Sequence, residues 1–335
     1  MQAGKDICVS VLMLTYNQEE YVDSAIESVV AQRTDFNVEL VIGDDCSTDS
    51  TVARCHRWVE RFPEKIRLLE SERNGGLLAN FARTFAECHG RYIAICEGDD
   101  YWTDNSKLQR QVNVLEAHPE YSTSIHRVVN YYQDRGTMSL SNGGQKAVSD
   151  IMDLARMNFI SNVSAVFRNT LKGTVPEWIS EVGTYDYAVH MLNADNGAVH
   201  YMNRPMAVYR KHSGAIWSQS GKEKQWIIAM KVRLCLMNHY RERRPDVYRL
   251  LCEAYVNNGV ALAAYYEQTG EAEKAQAVVE EMLKNAVSLD MATAENRIKA
   301  LVQRGEVKPP FAKRLKVSLR EFASRLIPVP KPCKL

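Results

Sequence analysis

Two groups of carboxylates dominate the first hundred residues. Glu97-Gly98-Asp99-Asp100 places three carboxylates within four positions, directly after the apolar run Tyr92-Ile93-Ala94-Ile95-Cys96, and Asp44-Asp45 follows a second apolar run at residues 38–42. Like charges this close repel one another. Hard oxygen donors at a strand end suit Mg²⁺ or Mn²⁺. A solvated acidic turn would account for either cluster alone, but two of them ending strands of one sheet point to a cation. Gly98 removes a side chain, so a ligand can come close to the backbone. A divalent ion held by one or two carboxylates completes its shell with phosphate and water, which makes a diphosphate the expected partner. Yet no Gly-x-x-x-x-Gly-Lys-Ser/Thr loop is present, and no Gly-x-Gly-x-x-Gly follows the first apolar run. Their absence argues against a nucleotide triphosphatase and a dinucleotide dehydrogenase. A metal-held diphosphate without such a loop points to a transferase with a nucleoside diphosphate as leaving group.

The elements that must position these groups alternate between two periods. Apolar runs at residues 7–14, 38–42, 66–69 and 92–96 predict strands. Amphipathic stretches at 19–31, 51–62, 77–88 and 105–118 predict helices. Strands that are apolar throughout, each followed by a helix, imply a parallel sheet covered on both faces. Ligands then sit beyond the carboxyl ends of the strands, where Thr15-Tyr16-Asn17 and both acidic clusters lie. Further strands are predicted at 121–132, 159–167, 198–201 and 206–209, a loop at 134–149 and a short helix at 185–192. A Ser/Gly-rich stretch at 213–221 marks a domain boundary, giving an α/β domain over 1–220 and a helical region over 221–335. Within the latter, 257–285 reads as a helical hairpin resembling a single tetratricopeptide unit, with Gly270 as the stop.

Composition narrows the class. Hydrophobic residues make up 45% and charged residues 25%, as in a folded globular chain. No apolar run approaches the ~20 residues of a membrane-spanning helix. The eight cysteines form no Cys-x-x-Cys pair, so reduced thiols and a cytoplasmic chain are expected. Net charge is +1, which offers no field for nucleic acid. From Lys308 onward there are eight basic residues against one acidic, leaving the preceding 307 residues at −6. In that tail, residues 311–327 set Phe311, Leu315, Leu319, Phe322 and Leu326 on one helical face. A basic amphipathic helix of this kind can lie peripherally on an anionic membrane surface or pack on the helical region.

In order and spacing, Val9-Ser10-Val11-Leu12-Met13-Leu14-Thr15-Tyr16-Asn17, Gly43-Asp44-Asp45-Cys46-Ser47-Thr48-Asp49 and Gly90-Arg91-Tyr92-Ile93-Ala94 leading into Glu97-Gly98-Asp99-Asp100-Tyr101-Trp102 resemble the inverting family 2 glycosyltransferases with the GT-A fold, over residues 7–213. The resemblance implies a Rossmann-like, mostly parallel sheet flanked by helices, and a nucleotide-sugar donor, most often a UDP-sugar. It implies that Thr15 and Asp45 hold the nucleotide base and that Asp99 lies near the ribose or the metal. It makes Asp100 the principal metal ligand. Glu97 stands where the family often has Asp and can reach the ribose. Arg83, in the predicted third helix, is the candidate phosphate contact in place of the family's Arg-Asn pair. Asp186 falls where the family has its general base, with Glu181 and Asp195 as alternatives. In Tyr209-Arg210-Lys211-His212, Arg210 matches a diphosphate contact and His212 a third metal ligand. The expected acceptor is a hydroxyl of a glycan or lipid-linked saccharide in cell-surface polysaccharide synthesis. Trp217 would belong to a lid over the donor, and Trp102 to the packing. Two competing readings are a non-catalytic scaffold with a degenerate transferase domain and a metal-dependent nucleotidyltransferase. The first need not keep Asp45, Asp99, Asp100 and Asp186 together. The second favours a Gly/Arg/Lys-rich loop that Thr15-Tyr16-Asn17-Gln18 lacks.

Overall fold

The computed structural model describes residues 6–141, 143–214 and 221–285, together with Lys313, Lys316 and Val317. The 311–327 helix and Trp217 otherwise lie outside the described residues. The chain divides into two compact units, Met1–Leu154 with Asn158–Gln219 and Ala155–Met157 with Ser220–Leu335.

The first unit begins as the period analysis predicts: β1 (Val9–Thr15), α1 (Val22–Val30), β2 (Val38–Asp44), α2 (Thr51–Arg61), β3 (Ile66–Leu69), α3 (Leu77–Ala86) and β4 (Tyr92–Ile95). Every residue of β1 is buried, as a central strand covered on both faces requires. In α1 the buried residues are Val22, Ala25, Ile26 and Val29, one stripe at helical spacing. There follow β5 (Tyr101–Trp102), α4 (Lys107–Ala117), β6 (Tyr121–His126), β7 (Val129–Tyr132), β8 (Thr137–Leu140), β9 (Val148–Ser149), α5 (Ile151–Arg156), β10 (Val166–Arg168), α6 (Asp186–Ala194), β11 (Ala198–Met202) and β12 (Ala207–Lys211).

The strands form an eight-stranded sheet in the order β3-β2-β1-β4-β10-β6-β11-β9 and a four-stranded sheet in the order β5-β12-β7-β8. Strands β3, β2, β1 and β4 are parallel. The large sheet is mixed, because β10 runs antiparallel to both β4 and β6, and β9 antiparallel to β11. The order reverses between β1 and β4, which opens a crevice beyond their carboxyl ends.

Three local expectations are corrected. Residues 121–132 are two strands in different sheets. At the crossing, the Arg127 amide donates to the Met202 carbonyl at 3.0 Å and the Val128 amide to Ser141 Oγ at 2.9 Å. The 134–149 segment holds β8, which is exposed along its whole length, so its Thr-Met-Ser-Leu alternation marks no buried face. Residues 159–167 are mostly not strand. A 3₁₀ turn at Asn162–Ser164 precedes the short β10, and Ser164 Oγ donates to the Ser161 carbonyl at 2.6 Å. Such side-chain bonds compete with a strand ladder.

The second unit contains α7 (Lys222–Tyr240), α8 (Pro245–Thr269) and α9 (Ala272–Asn285). Helix α8 begins twelve residues before the predicted hairpin start, with Pro245 in its first turn, a position that needs no amide donor. Gly270 ends it in the left-handed conformation, φ 84°, where glycine carries no Cβ penalty. No helix among the described residues is long and apolar enough to cross a membrane.

The core of the first unit contains one amine that pattern analysis does not flag. Lys107, at the start of α4, is fully buried, its Nζ has no hydrogen-bond partner, and it lies 4.2 Å from the Trp102 ring centroid. Burial pushes its pKa down to about 7. An unfolded lysine stays protonated to about pH 10, so folding carries a desolvation cost in full below pH 7, relieved as pH rises toward 10. Lys107→Met should therefore stabilise the protein by ~1–2 kcal/mol at pH 6.5 and by less at pH 9. Urea unfolding of both forms at the two pH values checks this. A gain that is absent at pH 6.5 or larger at pH 9 would contradict it.

Candidate active site

A cleft of about 740 Å³ lies at the carboxyl edge of the parallel strands. Its walls come from the segment after β1 (Thr15 to Tyr21), the turn after β2 (Asp45, Asp49), the start of α3 (Gly76, Leu77, Asn80), the turn after β4 (Glu97, Asp99, Asp100), Asn162, residues 184–186, and the end of the small sheet (Tyr209, His212).

The first two turns are tied together. The parallel register of β1 and β2 sets Thr15 beside Asp44, and Thr15 Oγ1 donates to Asp44 Oδ2 at 2.9 Å. Asp44, fully buried, also takes the Ser47 amide at 2.8 Å and hydroxyl at 2.6 Å. Asn17 and Cys46 hold positive φ, 51° and 62°, and Asn17 Oδ1 accepts the Thr48 amide at 2.8 Å. Asp45 is equally engaged: Oδ1 takes the Gly75 amide and Oδ2 the Gly76 amide, both at 2.8 Å. The carboxylate expected to read a base also anchors the loop that enters α3.

The turn after β4 is assembled from distant segments. Its glycine makes room for protein, a correction to the expected ligand approach: a Cβ on Gly98 would lie 2.3 Å from Gln18 Oε1 and 2.7 Å from Thr15 Cγ2. Asp100 is buried, and its Oδ1 accepts the Arg210 backbone amide at 2.8 Å. Burial, then the neighbouring Asp99 charge, hold its carboxyl well above the usual range. Gly214 donates its amide to His212 Nδ1 at 3.1 Å. The ring proton therefore sits on Nε2, which donates to Asp99 Oδ2 at 3.1 Å. Glu97 has its carboxyl lifted to about 7 by burial, against the Tyr185 hydroxyl bond that lowers it, with the charges of Asp99 and Asp186 adding.

Among the described residues, no three acidic, histidine or cysteine side chains form a ready-made metal cage. The donor types still fit a divalent ion. Asp99 and Asp100 supply two hard carboxylates in one turn, and the crowding that lifts Asp100 is what a cation would relieve; His212, its Nδ1 held by the Gly214 amide and its Nε2 proton by Asp99, would add an imidazole only by giving up one of these bonds.

Two expected contacts are not in the cleft wall. Arg83 spends its guanidinium on backbone carbonyls, Asp44 through Nη2 and Leu69 at 3.1 Å through Nη1, so it braces the ends of β2 and β3. Arg210 packs its guanidinium 5.0 Å from the Tyr21 ring and 4.8 Å from the Tyr101 ring, and Nη1 donates to the Asp99 carbonyl at 3.0 Å. It supports the acidic turn from behind. Asp186 does line the cleft, at the first turn of α6, and Oδ1 accepts the Thr184 hydroxyl at 2.6 Å. Of the alternatives, Glu181 ends a 3₁₀ turn and Asp195 caps the far end of α6, and neither lines the cleft. Trp102 is buried, its Nε1 donating to the Val163 carbonyl at 3.1 Å, as expected of a packing residue.

Sequence reading missed Asn162 and Tyr185. Asn162 fell inside a predicted strand, and its only signal was a polar pair, Ser161-Asn162, in an apolar stretch. Tyr185 enters the sequence analysis only as the first residue of the short helix predicted at 185–192.

A family model described as glycosyl transferase family 2 matches residues 10–173. An uncharacterised protein of Mycobacterium tuberculosis, Rv1520, is 35% identical over 252 residues, 71% of each chain. The chain belongs to glycosyl transferase family 2. A second relative, the teichuronic acid biosynthesis glycosyltransferase TuaG of Bacillus subtilis, described as putative, is 32% identical over 107 residues, 32% of this chain and 41% of its own. The crystal structure of S. aureus TarS 1–349 in complex with UDP-GlcNAc superposes with a TM-score of 0.64 at 17% identity, covering 95% of this chain and 92% of that one. That likeness identifies the family 2 chain's α/β architecture as the GT-A fold, here followed by C-terminal helices.

The Asp45 anchor has a measurable consequence. Asp45→Asn exchanges one acceptor oxygen for a donor facing a glycine amide, which should cost ~1–2 kcal/mol in urea unfolding. The loop at 74–76 should also become more sensitive to limited proteolysis. Wild-type values in both measurements would show that the anchor contributes nothing.

Proposed function

We propose that this glycosyltransferase moves a sugar from a nucleotide donor, a UDP-sugar, to a hydroxyl of a glycan or lipid-linked saccharide, inverting the anomeric configuration and depending on Mn²⁺ or Mg²⁺. The observation that carries this reading is a single cleft lined by both Asp99-Asp100 and Asp186. One carboxylate pair is suited to a diphosphate-bound cation, and a separate carboxylate is free to handle a proton. The kinship with TuaG supports an acceptor in cell-surface polysaccharide synthesis, and cysteines that form no Cys-x-x-Cys pair in the sequence are consistent with a cytoplasmic chain.

In this mechanism Thr15 and Asp45 frame the nucleotide base at the ends of β1 and β2, and Glu97 or Asp99 meets the ribose. Asp99, Asp100 and His212 would hold the divalent ion, which when bound neutralises charge developing on the departing diphosphate. Arg210 keeps Asp99 and Asp100 in place by its backbone amide and guanidinium. Asp186 takes the proton from the acceptor hydroxyl as that oxygen attacks the anomeric carbon. Its hydrogen bond from Thr184 fixes Oδ1, so Oδ2 remains for the substrate. Burial of the acidic turn strengthens each of these electrostatic contacts.

Asp186→Asn should keep donor affinity while lowering turnover by ~10²–10⁴-fold. Transfer assays beside donor titrations check this, and near-normal turnover would remove Asp186 as the base. A screen of nucleotide sugars for thermal stabilisation, with Mn²⁺ and with EDTA, should find a donor that raises Tm only with metal. That shift should vanish in Asp100→Asn. A donor shift of equal size in EDTA would rule out the metal-dependent reading.

A further inference from the structure

The cleft is short of hydrogen-bond donors for an anion. Among the described residues no lysine or arginine lines it. The two arginines expected at phosphate, Arg83 and Arg210, give their guanidiniums to backbone carbonyls. Donors beside the acidic turn are also committed: Tyr185 to Glu97, Thr184 to Asp186 at 2.6 Å, and His212 Nε2 to Asp99 at 3.1 Å. One hydroxyl is not. Tyr209, on β12, lines the same cleft, and its phenol makes no hydrogen bond among the described residues. Nor is that oxygen sealed from solvent, unlike the buried unpartnered oxygens of Gln18 and Asn162, so a ligand can reach it.

The ring itself is fixed. It packs against the apolar core of the first unit, and Lys211 Nζ lies 5.6 Å from its centroid. Side chains alternate along a strand, and Arg210 leaves on the other face, toward Tyr21 and Tyr101. Burial, then the charges of Asp100, Asp99, Asp186 and Glu97, hold the phenol above its usual pKa, and a phenol is protonated at neutral pH in any case. A donor that feels four carboxylates but bonds to none leaves room for a ligand atom between. Sugar and acceptor hydroxyls can donate to those carboxylates. A phosphate oxygen cannot, and besides a cation only an N–H or O–H donor can face it.

We propose that Tyr209 is a further catalytic residue, whose hydroxyl donates a hydrogen bond to an oxygen of the departing diphosphate. This inference rests on the glycosyl-transfer reading above. The anomeric C–O bond breaks, its electron pair stays with the distal phosphate oxygen, and the acceptor's proton goes to Asp186. The phenol keeps its own proton, and its bond strengthens as charge gathers on the phosphate.

Tyr209→Phe keeps the ring and removes only the hydroxyl. No protein hydrogen bond is lost, so its thermal midpoint without ligand should match wild type. Transfer should fall by ~10²-fold in kcat. Hydrolysis of the donor by water, without acceptor, should fall by the same factor, because both reactions share the leaving group. Calorimetric titration with UDP and Mn²⁺ should show ~10-fold weaker binding, against less than ~3-fold for the accepted UDP-sugar, whose distal phosphate carries less charge. If wild-type hydrolysis is too slow to follow, the comparison of UDP with UDP-sugar decides. A fall in transfer with hydrolysis unchanged would move the hydroxyl to the acceptor and overturn the assignment. So would a kcat within ~3-fold of wild type, equal weakening of UDP and UDP-sugar, or a Tyr209→Phe chain that unfolds without ligand. A wild-type enzyme that neither transfers nor hydrolyses any nucleotide sugar overturns the parent reading, and this inference with it.

Discussion

Negative charge gathered at the rim of a buried sheet is the constraint on which the rest of this structure depends. Glu97, Asp99 and Asp100 fall within one turn, and Asp186 approaches from α6. Taken alone, such a group would repel itself apart or bind protons. The chain counters this by sending a donor to each carboxylate from a different place. The backbone of β12 reaches Asp100, His212 reaches Asp99, and Asn162 with Tyr185 reaches Glu97. None of these donors is near the turn in sequence. The small sheet, the break before β10 and the start of α6 are all positioned by the same electrostatic demand.

The second rim cluster shows the same principle with a different outcome. Asp44 and Asp45 are satisfied by groups at the ends of β1 and in the loops after β2 and β3: Thr15, Ser47, Gly75 and Gly76. Here the donors are mostly backbone amides and short hydroxyls, and the result is a pinned loop at the entrance to α3. One wall of the cleft is thus made rigid by hydrogen bonds internal to the protein. The other, around Asp99 and Asp100, keeps donor types that suit a cation. The contrast explains how one sheet edge can offer a firm surface for a base beside a site for charge.

Two arginines illustrate how side chains that look functional become scaffolding. Arg83 and Arg210 each lie within a few residues of the rim in space, yet each directs its guanidinium to backbone carbonyls. A strand end leaves carbonyls unpaired, and a planar fork of N–H donors satisfies several at once. Sequence position alone cannot distinguish an arginine that meets a phosphate from one that closes a sheet.

The amino-acid sequence by itself determined β1 to β4 and the helices between them, because strands buried on both faces and amphipathic helices carry their periods openly. It also determined that Thr15, Asp45, Glu97, Asp99, Asp100 and Asp186 are the polar groups at element ends, and the joint spacing of the motifs marked the family. Tertiary structure alone decided the division of residues 121–132 between two sheets and the exposed strand β8. It alone placed Asn162 and Tyr185 against Glu97 and turned Arg83 and Arg210 away from the cleft. Those outcomes depend on which distant donor reaches which buried acceptor. A one-dimensional pattern records how often apolar residues recur, but not where a hydrogen bond across sixty or more positions will close.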